Sequence, residues 1–399
     1  MAADTRHRRW RWAALVMAVS ACSGEAPTLT DWHWALPDHV APPPVPESNP
    51  MTVEGVELGR RHFFEPRLSV TGEFSCSTCH EPELAFAVDE PTHEGALGVR
   101  TARNAPALVN LAWAPLLDWG NPTADSLEQQ MLTPLFGDNP VEIGAGFVDG
   151  SSDHYDPQRL LELVDSDPDY QDAFDDVFGD RPATERVSWD AVIAAISSFE
   201  RSLVSLDAPF DRWLAGDPDA LSAAEQRGLA LFRSSRLGCA QCHAGPLQSL
   251  AFVTDGRAVD ERALFRNTGL YDLVQGPVVY WGGARTRYPE SGQGLGEFTQ
   301  DPADDGKHRI PSLRNVAVTG PYMHDGSIES LDEVLDHYAR GGRLVAEGPH
   351  AGDGRDNPNK DPAIGGFALS DTERRDLLAF LGSLTDPSFM DRESALAPR

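Results

Sequence analysis

Two copies of the pentapeptide Cys-x-x-Cys-His, at 76–80 and 239–243, constrain this chain more than any other feature. The pentapeptide is typical of haem c attachment, in which both thiols bond to the porphyrin and the histidine ligates the iron. A thioredoxin-like redox pair needs no trailing histidine. A four-cysteine zinc site has roughly 15–20 residues between its two cysteine pairs, whereas in this chain residues 80–238 lie between the two pairs. The sequence therefore predicts two covalent haems, bound by Cys76, Cys79, His80, Cys239, Cys242 and His243.

The fifth cysteine, Cys22, ends a segment typical of bacterial export signals. Arginines precede a short apolar run at 12–18, which Val-Ser-Ala-Cys closes. The run is about half of the roughly 20 residues that a bilayer span requires. Because the tetrapeptide resembles a lipobox, residues 1–22 are predicted to be a signal peptide with a lipidated Cys22; cleavage near Ala21 without lipidation is the alternative. We expect a periplasmic or cell-surface protein whose membrane contact is only this lipid anchor.

The chain has 399 residues and a formal net charge of −29. This charge argues against nucleic acid as a partner, because phosphates would be repelled. Two explanations of the acidity stay open: solubility in water or in a salt-rich habitat, and docking to a basic redox partner. The length leaves room for two domains of ordinary size.

Composition and a weak internal repeat indicate how the chain is organised. Residues 23–50 are rich in proline, which is typical of an extended tether, and two tryptophans indicate that its far half packs on the folded body. Residues 57–64 and 225–232 resemble one another, and each precedes one haem motif. We predict two cytochrome-like domains from one duplicated unit, at 51–208 and 209–386, and a tail at 387–399.

Hydrophobic periodicity and capping signals predict helices. Residues 189–203 follow the helical period behind a candidate N-cap, Ser188, and capping boxes begin at Ser222 and Ser370. The chain has 35 glycines and 31 prolines, which favours long loops around the cofactors over a regular bundle. The predicted fold class is therefore mainly α, with two haem domains and long loops.

From about residue 50 to 385 the chain resembles the bacterial di-haem cytochrome c peroxidases and their MauG-type relatives. Within that family, 32–52 and Asp-Trp-Gly-Asn-Pro at 118–122 are most similar to the branch called MbnH, found beside methanobactin genes. The resemblance implies two cytochrome c-like domains facing one another, an N-terminal haem that meets peroxide and a C-terminal haem that relays electrons. The motifs that carry it, besides the haem pentapeptides, are 58–69, 103–106, Asn-Pro-Val-Glu at 139–142, 311–317 and 321–327.

By this resemblance Glu142 moves the proton when peroxide is split, Gln130 assists it and Pro134 shapes the pocket. Trp119 matches the tryptophan that couples the two haems. The loop at 95–100 carries Leu97 where peroxidases place a displaceable histidine. His93 lies nearby and is interpreted as a surface loop residue, so we expect the first iron to be five-coordinate.

The sixth ligand of the second iron has four candidates, namely Met323, His324, His337 and Tyr338. In the family this ligand lies fourteen residues after the histidine of the Pro-Tyr-x-His motif, and the count from His324 ends at Tyr338. MauG-type enzymes have tyrosine there, so the resemblance favours Tyr338. Met323 is the alternative.

The resemblance also implies a calcium ion between the domains. Its ligands would be the side chain of Asn104 and the backbone carbonyls of Thr319 and Pro321, since oxygen ligands suit this hard cation. A turn-forming role for Asn104 is the alternative.

The expected activity is that of a peroxidase-type oxidoreductase. A MauG-type enzyme uses hydrogen peroxide to reach a high-valent di-haem state and then oxidises a side chain of a partner protein; in the MbnH branch the side chain is tryptophan. A cytochrome c peroxidase instead reduces peroxide with electrons from a small redox protein, and a pure electron carrier would do neither. Tyr338 and Leu97 favour the first reading, and Glu142 disfavours the third.

Overall fold

The computed structural model describes residues 28–138, 140–148, 151–255, 259–272 and 289–394. The predicted signal peptide with Cys22, the first residues of the tether and Asn139 of the Asn-Pro-Val-Glu motif lie outside the described residues. Nowhere in the described ranges is a helix long and apolar enough to cross a membrane.

The described chain is mostly helical, so the predicted mainly α class is confirmed. Short antiparallel pairs join β1 (Phe147–Val148) to β2 (Ser151–Tyr155), β3 (Phe265–Arg266) to β4 (His308–Arg309) and β5 (Leu344–Val345) to β6 (Gly352–Asp353). The α-helices are α1 (Val53–Phe63), α2 (Leu127–Gln130), α3 (Leu132–Phe136), α4 (Gln158–Asp165), α5 (Pro168–Phe178), α6 (Ala183–Arg186), α7 (Trp189–Ser202), α8 (Pro209–Leu214), α9 (Ala223–Phe232), α10 (Leu295–Thr299), α11 (Leu331–Arg340), α12 (Asp371–Gly382) and α13 (Pro387–Ser394).

The predicted helix starts are confirmed. Ser188 caps α7 by accepting a hydrogen bond from the backbone of Ala191. Ser222 and Ser370 open α9 and α12 with reciprocal capping boxes. Each cap satisfies backbone N–H groups that the first helical turn leaves without a partner.

The internal repeat corresponds to two similar helix pairs. Helix α1 packs on α7, and α9 packs on α12. One glycine in each pair allows close approach: a Cβ on Gly59 would overlap the carbonyl oxygen of Ala195, and one on Gly228 would overlap that of Asp376. In each pair, the first helix precedes one haem motif in the chain and packs closely against its partner helix.

The hydrophobic interior has two main clusters, and the first crosses the predicted domain boundary. It contains α1, α5 and α7 but also Leu247, Phe252 and Ile310 from the C-terminal half. The second cluster joins α9 and α12. The two halves of the chain therefore share one apolar interior at their contact.

Within the predicted tail at 387–399, residues 387–394 form α13. Phe389 is fully buried, and its ring packs edge-to-face on Phe86 with centroids 6.3 Å apart. Asp386 accepts a hydrogen bond from the Phe389 backbone. The last helix thus returns to the N-terminal half, beside the loop that follows the first haem motif.

The predicted tether, where the structure describes it, is packed rather than extended into solvent. Ala41 accepts a hydrogen bond from the Trp113 indole at 2.9 Å and donates its backbone N–H to Thr254 at 3.2 Å. Further along, Asn49 is buried and donates to Glu128 at 2.7 Å. Residues 28–52 therefore bind both halves of the molecule together.

Candidate active site

Both haem motifs fold into the same local structure. Cys76–Thr78 and Cys239–Gln241 each form one 3₁₀ turn, and the backbone N–H of the histidine donates to the carbonyl of the first cysteine, at 3.0 Å in the first motif and 2.9 Å in the second. Each turn brings two thiols and an imidazole to the wall of one cavity, the set that covalent haem c requires.

Both motif histidines are oriented by a backbone carbonyl. His80 Nδ1 lies 2.8 Å from the carbonyl of Phe86, and His243 Nδ1 lies 3.2 Å from that of Gln248. Burial lowers the pKa of both imidazoles, that of His243 to about 4, so both are neutral at pH 7. A neutral ring whose Nδ1 carries the proton offers Nε2 to iron, so these residues fit a haem.

The cavity at the second motif, the C-terminal cavity, has a volume of about 820 Å³. This volume is within the range of roughly 300–1,000 Å³ that ligand and cofactor sites occupy. Apolar residues of α9, α11 and α12 form much of its wall, together with Phe252 and Ile310. The cavity is therefore large enough and apolar enough to take a porphyrin.

The structure separates the four candidates for the second iron's sixth ligand. Tyr338, Met323 and His324 line the C-terminal cavity, whereas His337 is buried and is not in its described lining. Burial raises the pKa of the Tyr338 hydroxyl, and the thiols of Cys242 and Cys239 raise it further.

The cavity at the first motif, the N-terminal cavity, is smaller, about 120 Å³. Its described lining includes Glu142, Gln130 and Pro134 along with the motif residues. His80 is the one histidine in that described lining. The residues chosen from sequence for peroxide chemistry therefore share one cavity with the first haem motif.

Backbone hydrogen bonds fix the segment that carries Glu142. Its carbonyl accepts from Ala96 at 2.7 Å, and the next residue, Ile143, donates to Pro134 at 3.0 Å. A Cβ on Gly95 would overlap the backbone of Val141, so the loop around residue 96 lies directly against this segment. The loop at 95–100 thus holds Glu142 in place.

The carboxyl group of Glu142 has a pKa close to neutral pH. Burial raises its pKa to about 7, and the charge of Asp118 contributes in the same direction. Asp118 also lines this cavity and accepts a hydrogen bond of 3.4 Å from Gln130. A buried acid with such a pKa both accepts and releases a proton near pH 7.

His93, interpreted from the sequence as a surface loop residue, is half-buried. Both ring nitrogens are buried, and neither has a hydrogen-bond partner in the part of the chain that the structure describes. Burial lowers the pKa of this imidazole to about 4, and the neighbouring His80 adds to the effect. His93 is not in the described lining of the N-terminal cavity. The backbone of this loop pairs with itself between Glu94 and Arg100.

Trp119 lies between the two cavities and lines both. Its indole N–H donates to the backbone carbonyl of Asn104 at 2.9 Å, which fixes the ring. Among the described residues, only Pro106, Leu111 and Arg309 also line both cavities. An aromatic ring at this place can couple two bound cofactors electronically.

The three residues expected to bind calcium all line the C-terminal cavity, near its edge with the N-terminal half. Asn104 is buried, donates its side-chain amide to Glu90 at 3.0 Å and its backbone N–H to His324 at 2.9 Å. The structure therefore brings Asn104, Thr319 and Pro321 to one region.

Two residues of this site were missed from sequence. Glu200, on α7, is 5% exposed and lines the N-terminal cavity, and burial raises its pKa to about 8. Its position, four residues after Ile196 in the apolar stripe, was a usable signal, because a carboxyl on a core face is rare. Arg309, on β4, is 3% exposed and lines both cavities; no local pattern marked it.

Comparisons with known proteins agree with this geometry. The model of the di-haem cytochrome c peroxidase family matches residues 53–219. The methylamine utilization protein MauG of Methylorubrum extorquens is 34% identical over 94% of this chain and 93% of its own length. This chain belongs to the di-haem cytochrome c peroxidase and MauG family. As a member of this family, it is a di-haem peroxidase-type oxidoreductase.

Relatives from both branches of the family cover nearly all of the chain. The cytochrome-c peroxidase IdrP1 of Denitromonas iodatirespirans is 36% identical over 95% of this chain and 93% of its own length. A crystal structure of a MauG-like protein associated with microbial copper homeostasis superimposes with a TM-score of 0.80 at 41% identity, covering 90% of this chain and 97% of that one.

Proposed function

We propose that this di-haem oxidoreductase uses hydrogen peroxide to oxidise a side chain, tryptophan in the first instance, of an exported partner protein. The observation that carries the proposal is that Tyr338 lines the same C-terminal cavity as the haem-binding thiols of Cys239 and Cys242. A phenolate ligand stabilises oxidised iron relative to a thioether, which suits a centre that stores an oxidising equivalent. The similarity to MauG and to the MauG-like structure supports the same activity.

In this proposal the N-terminal cavity handles protons. Bound haem supplies the redox chemistry, that is, cleavage of the O–O bond and storage of oxidising equivalents. Glu142 accepts the proton of the peroxide oxygen nearer the iron and delivers it to the departing oxygen, which leaves as water. Gln130 orients the bound peroxide, and Pro134 excludes bulkier molecules. Trp119 connects this cavity with the C-terminal one.

Two supporting assignments complete the proposal. The chain forms two cytochrome c-like domains with one covalent haem each, and it is exported and anchored through Cys22. A calcium ion is held by Asn104, Thr319 and Pro321 where the domains meet, since carbonyl and amide oxygens are its preferred ligands. A pyridine haemochrome assay that finds two haems per chain, and loss of membrane association in Cys22→Ser, are the expected results.

The deciding experiment substitutes Tyr338→Phe, with Tyr322→Phe as the matched control. Tyr322 lines the same cavity, but its hydroxyl is engaged with the carbonyl of Val316 at 3.0 Å. After one equivalent of peroxide, we expect the wild type and Tyr322→Phe to hold two oxidising equivalents, counted by reductive titration. Tyr338→Phe should keep both haems and lose this store. Full storage in Tyr338→Phe would refute the ligand assignment.

The second candidate function is that of a cytochrome c peroxidase, which the relative IdrP1 and the net charge of −29 favour. An acidic surface attracts a basic electron donor. The two functions differ in their electron source. Rapid steady-state removal of peroxide by a reduced basic cytochrome c, falling with ionic strength, supports the peroxidase; oxidation of tryptophan in an added polypeptide without such a donor supports the MauG-type enzyme.

A further inference from the structure

Arg309 is a buried cation placed between the two cavities. Its residue is 3% exposed, and its side chain lines both the N-terminal and the C-terminal cavity. The backbone N–H of Arg309 donates to the carbonyl of Trp119 at 2.8 Å, so the backbones of these two residues are held side by side. Arg309 therefore adds a positive charge to the place between the cavities where the Trp119 ring lies.

The guanidinium of Arg309 is only partly satisfied by protein groups. Its Nε donates to the backbone carbonyl of Asp118 at a long 3.3 Å. Its Nη1 is buried without a hydrogen-bond partner in the described structure. Burial lowers the pKa of Arg309 to about 10, which still leaves it charged at pH 7.

Other buried arginines of the chain show what a satisfied guanidinium looks like here. Arg314 pairs with both carboxylate oxygens of Asp211, and Arg201 pairs with both of Glu128. A buried donor on a charged group that lacks a partner is costly, so such groups normally bind an anion or an acceptor. Arg309 is thus distinguished by an open hydrogen-bonding position that points to a ligand.

We propose that Arg309 binds a propionate carboxylate of a bound haem and thereby fixes the charge at the bridge between the two cofactors. The proposal rests on the haem-binding role given above. A haem places two carboxylates on its rim, and a guanidinium binds a carboxylate with short, charge-assisted hydrogen bonds. Because Arg309 lines both cavities, either haem can supply the carboxylate, and the experiment separates the two.

The test compares Arg309→Gln, which removes the charge, with Arg309→Lys, which keeps it. The control is Arg227→Met, which removes a surface cation paired with Asp376. The readout is the reduction potential of each haem by spectroelectrochemistry, without peroxide or any substrate, so the result does not depend on whether the proposed oxidation occurs.

Loss of a buried positive charge disfavours the reduced iron. We expect Arg309→Gln to lower the reduction equilibrium constant of one haem about tenfold, the size expected for a unit charge at an effective dielectric constant of about 20. Tenfold corresponds to about 59 mV for a one-electron couple. The haem that shifts identifies the propionate. Arg309→Lys and Arg227→Met should stay within about twofold of the wild type.

Unchanged potentials in a haem-loaded Arg309→Gln, or an equal shift in Arg309→Lys, would overturn the proposal. If Arg309→Gln binds no haem, resonance Raman bands of the propionate groups are compared between the wild type and Arg309→Lys. A shifted propionate band in Arg309→Lys supports the contact, because lysine cannot reproduce the planar two-donor geometry. Identical bands refute it.

Discussion

Three carboxyl groups line the N-terminal cavity in the described structure, whereas two phenols and three imidazoles line the C-terminal one, beside the single carboxyl of Asp361. Glu142, Glu200 and Asp118 surround the first motif, while Tyr338 and His324 lie near the second. Yet the two pentapeptides fold into the same turn and orient their histidines in the same way. The difference therefore lies in the residues that other elements contribute, and on it we base the proposal of proton transfer in one cavity and iron ligation in the other.

The positions of these residues follow from the two helix pairs. Glu200 is held by α7, which packs on α1, while Tyr338 belongs to α11, near α12. The two helix pairs thus resemble one another, whereas the residues that distinguish the cavities come from α7, α11 and loops. Four changes can break or sharpen this contrast.

The largest effect is expected from Glu142→Gln. Removing a general base in the N-terminal cavity should slow the reaction with peroxide by about 10²–10⁴-fold, as measured by stopped-flow spectroscopy of the holoprotein. Glu83→Gln, an exposed acid three residues past His80, should react like the wild type. A Glu142→Gln rate within a factor of two of the wild type would remove proton transfer from this cavity.

The next effect concerns the C-terminal helix. Phe389→Ala should lower the free energy of unfolding by about 3–5 kcal/mol, because it leaves a cavity beside Phe86. Since the Phe86 carbonyl orients His80, the spectrum of the first haem should change while that of the second does not. Phe298→Ala, at a ring that is 42% exposed, should cost less than about 0.5 kcal/mol. Chemical denaturation of both variants checks the difference.

The pH dependence sharpens the contrast without any substitution. Because Glu142 has a pKa of about 7 and acts as a base only when ionised, the rate with peroxide should rise about tenfold per pH unit below pH 7 and level off above it. Glu142→Gln should give a flat profile. A wild-type rate that falls as the pH rises through 7 would mean that the protonated acid is the active form.

The smallest effect is expected at the seam between the cavities. Removing calcium with a chelator, or substituting Asn104→Ala, should slow electron exchange between the haems severalfold, because the proposed ion fixes the backbone of residue 104, whose carbonyl accepts from the Trp119 indole. Calcium but not magnesium should restore the chelated wild type, since the smaller ion demands stricter octahedral geometry. Elemental analysis that finds no calcium in the purified protein would refute the site.

Local patterns predicted the local structure well. The capping serines and both haem turns involve residues within five positions of one another, so their structure is determined by nearby chain. The resemblance to a family predicted that Glu142, Gln130 and Pro134 act in one pocket, and all three line the N-terminal cavity. Contacts between distant parts of the chain, such as Phe86 with Phe389, are encoded by no local pattern. The buried ring nitrogens of His93, the packing of α13 and the position of Arg309 depend on contacts of this kind.

Electron paramagnetic resonance of the resting, fully ferric holoprotein tests the contrast between the cavities most directly. His80 is the one histidine in the described lining of the first cavity, and Tyr338 lines the second together with its thiols. We predict one high-spin signal and one low-spin signal with histidine–tyrosinate character, the latter lost in Tyr338→Phe. Two low-spin signals, or a low-spin signal that survives in Tyr338→Phe, would contradict the assignment.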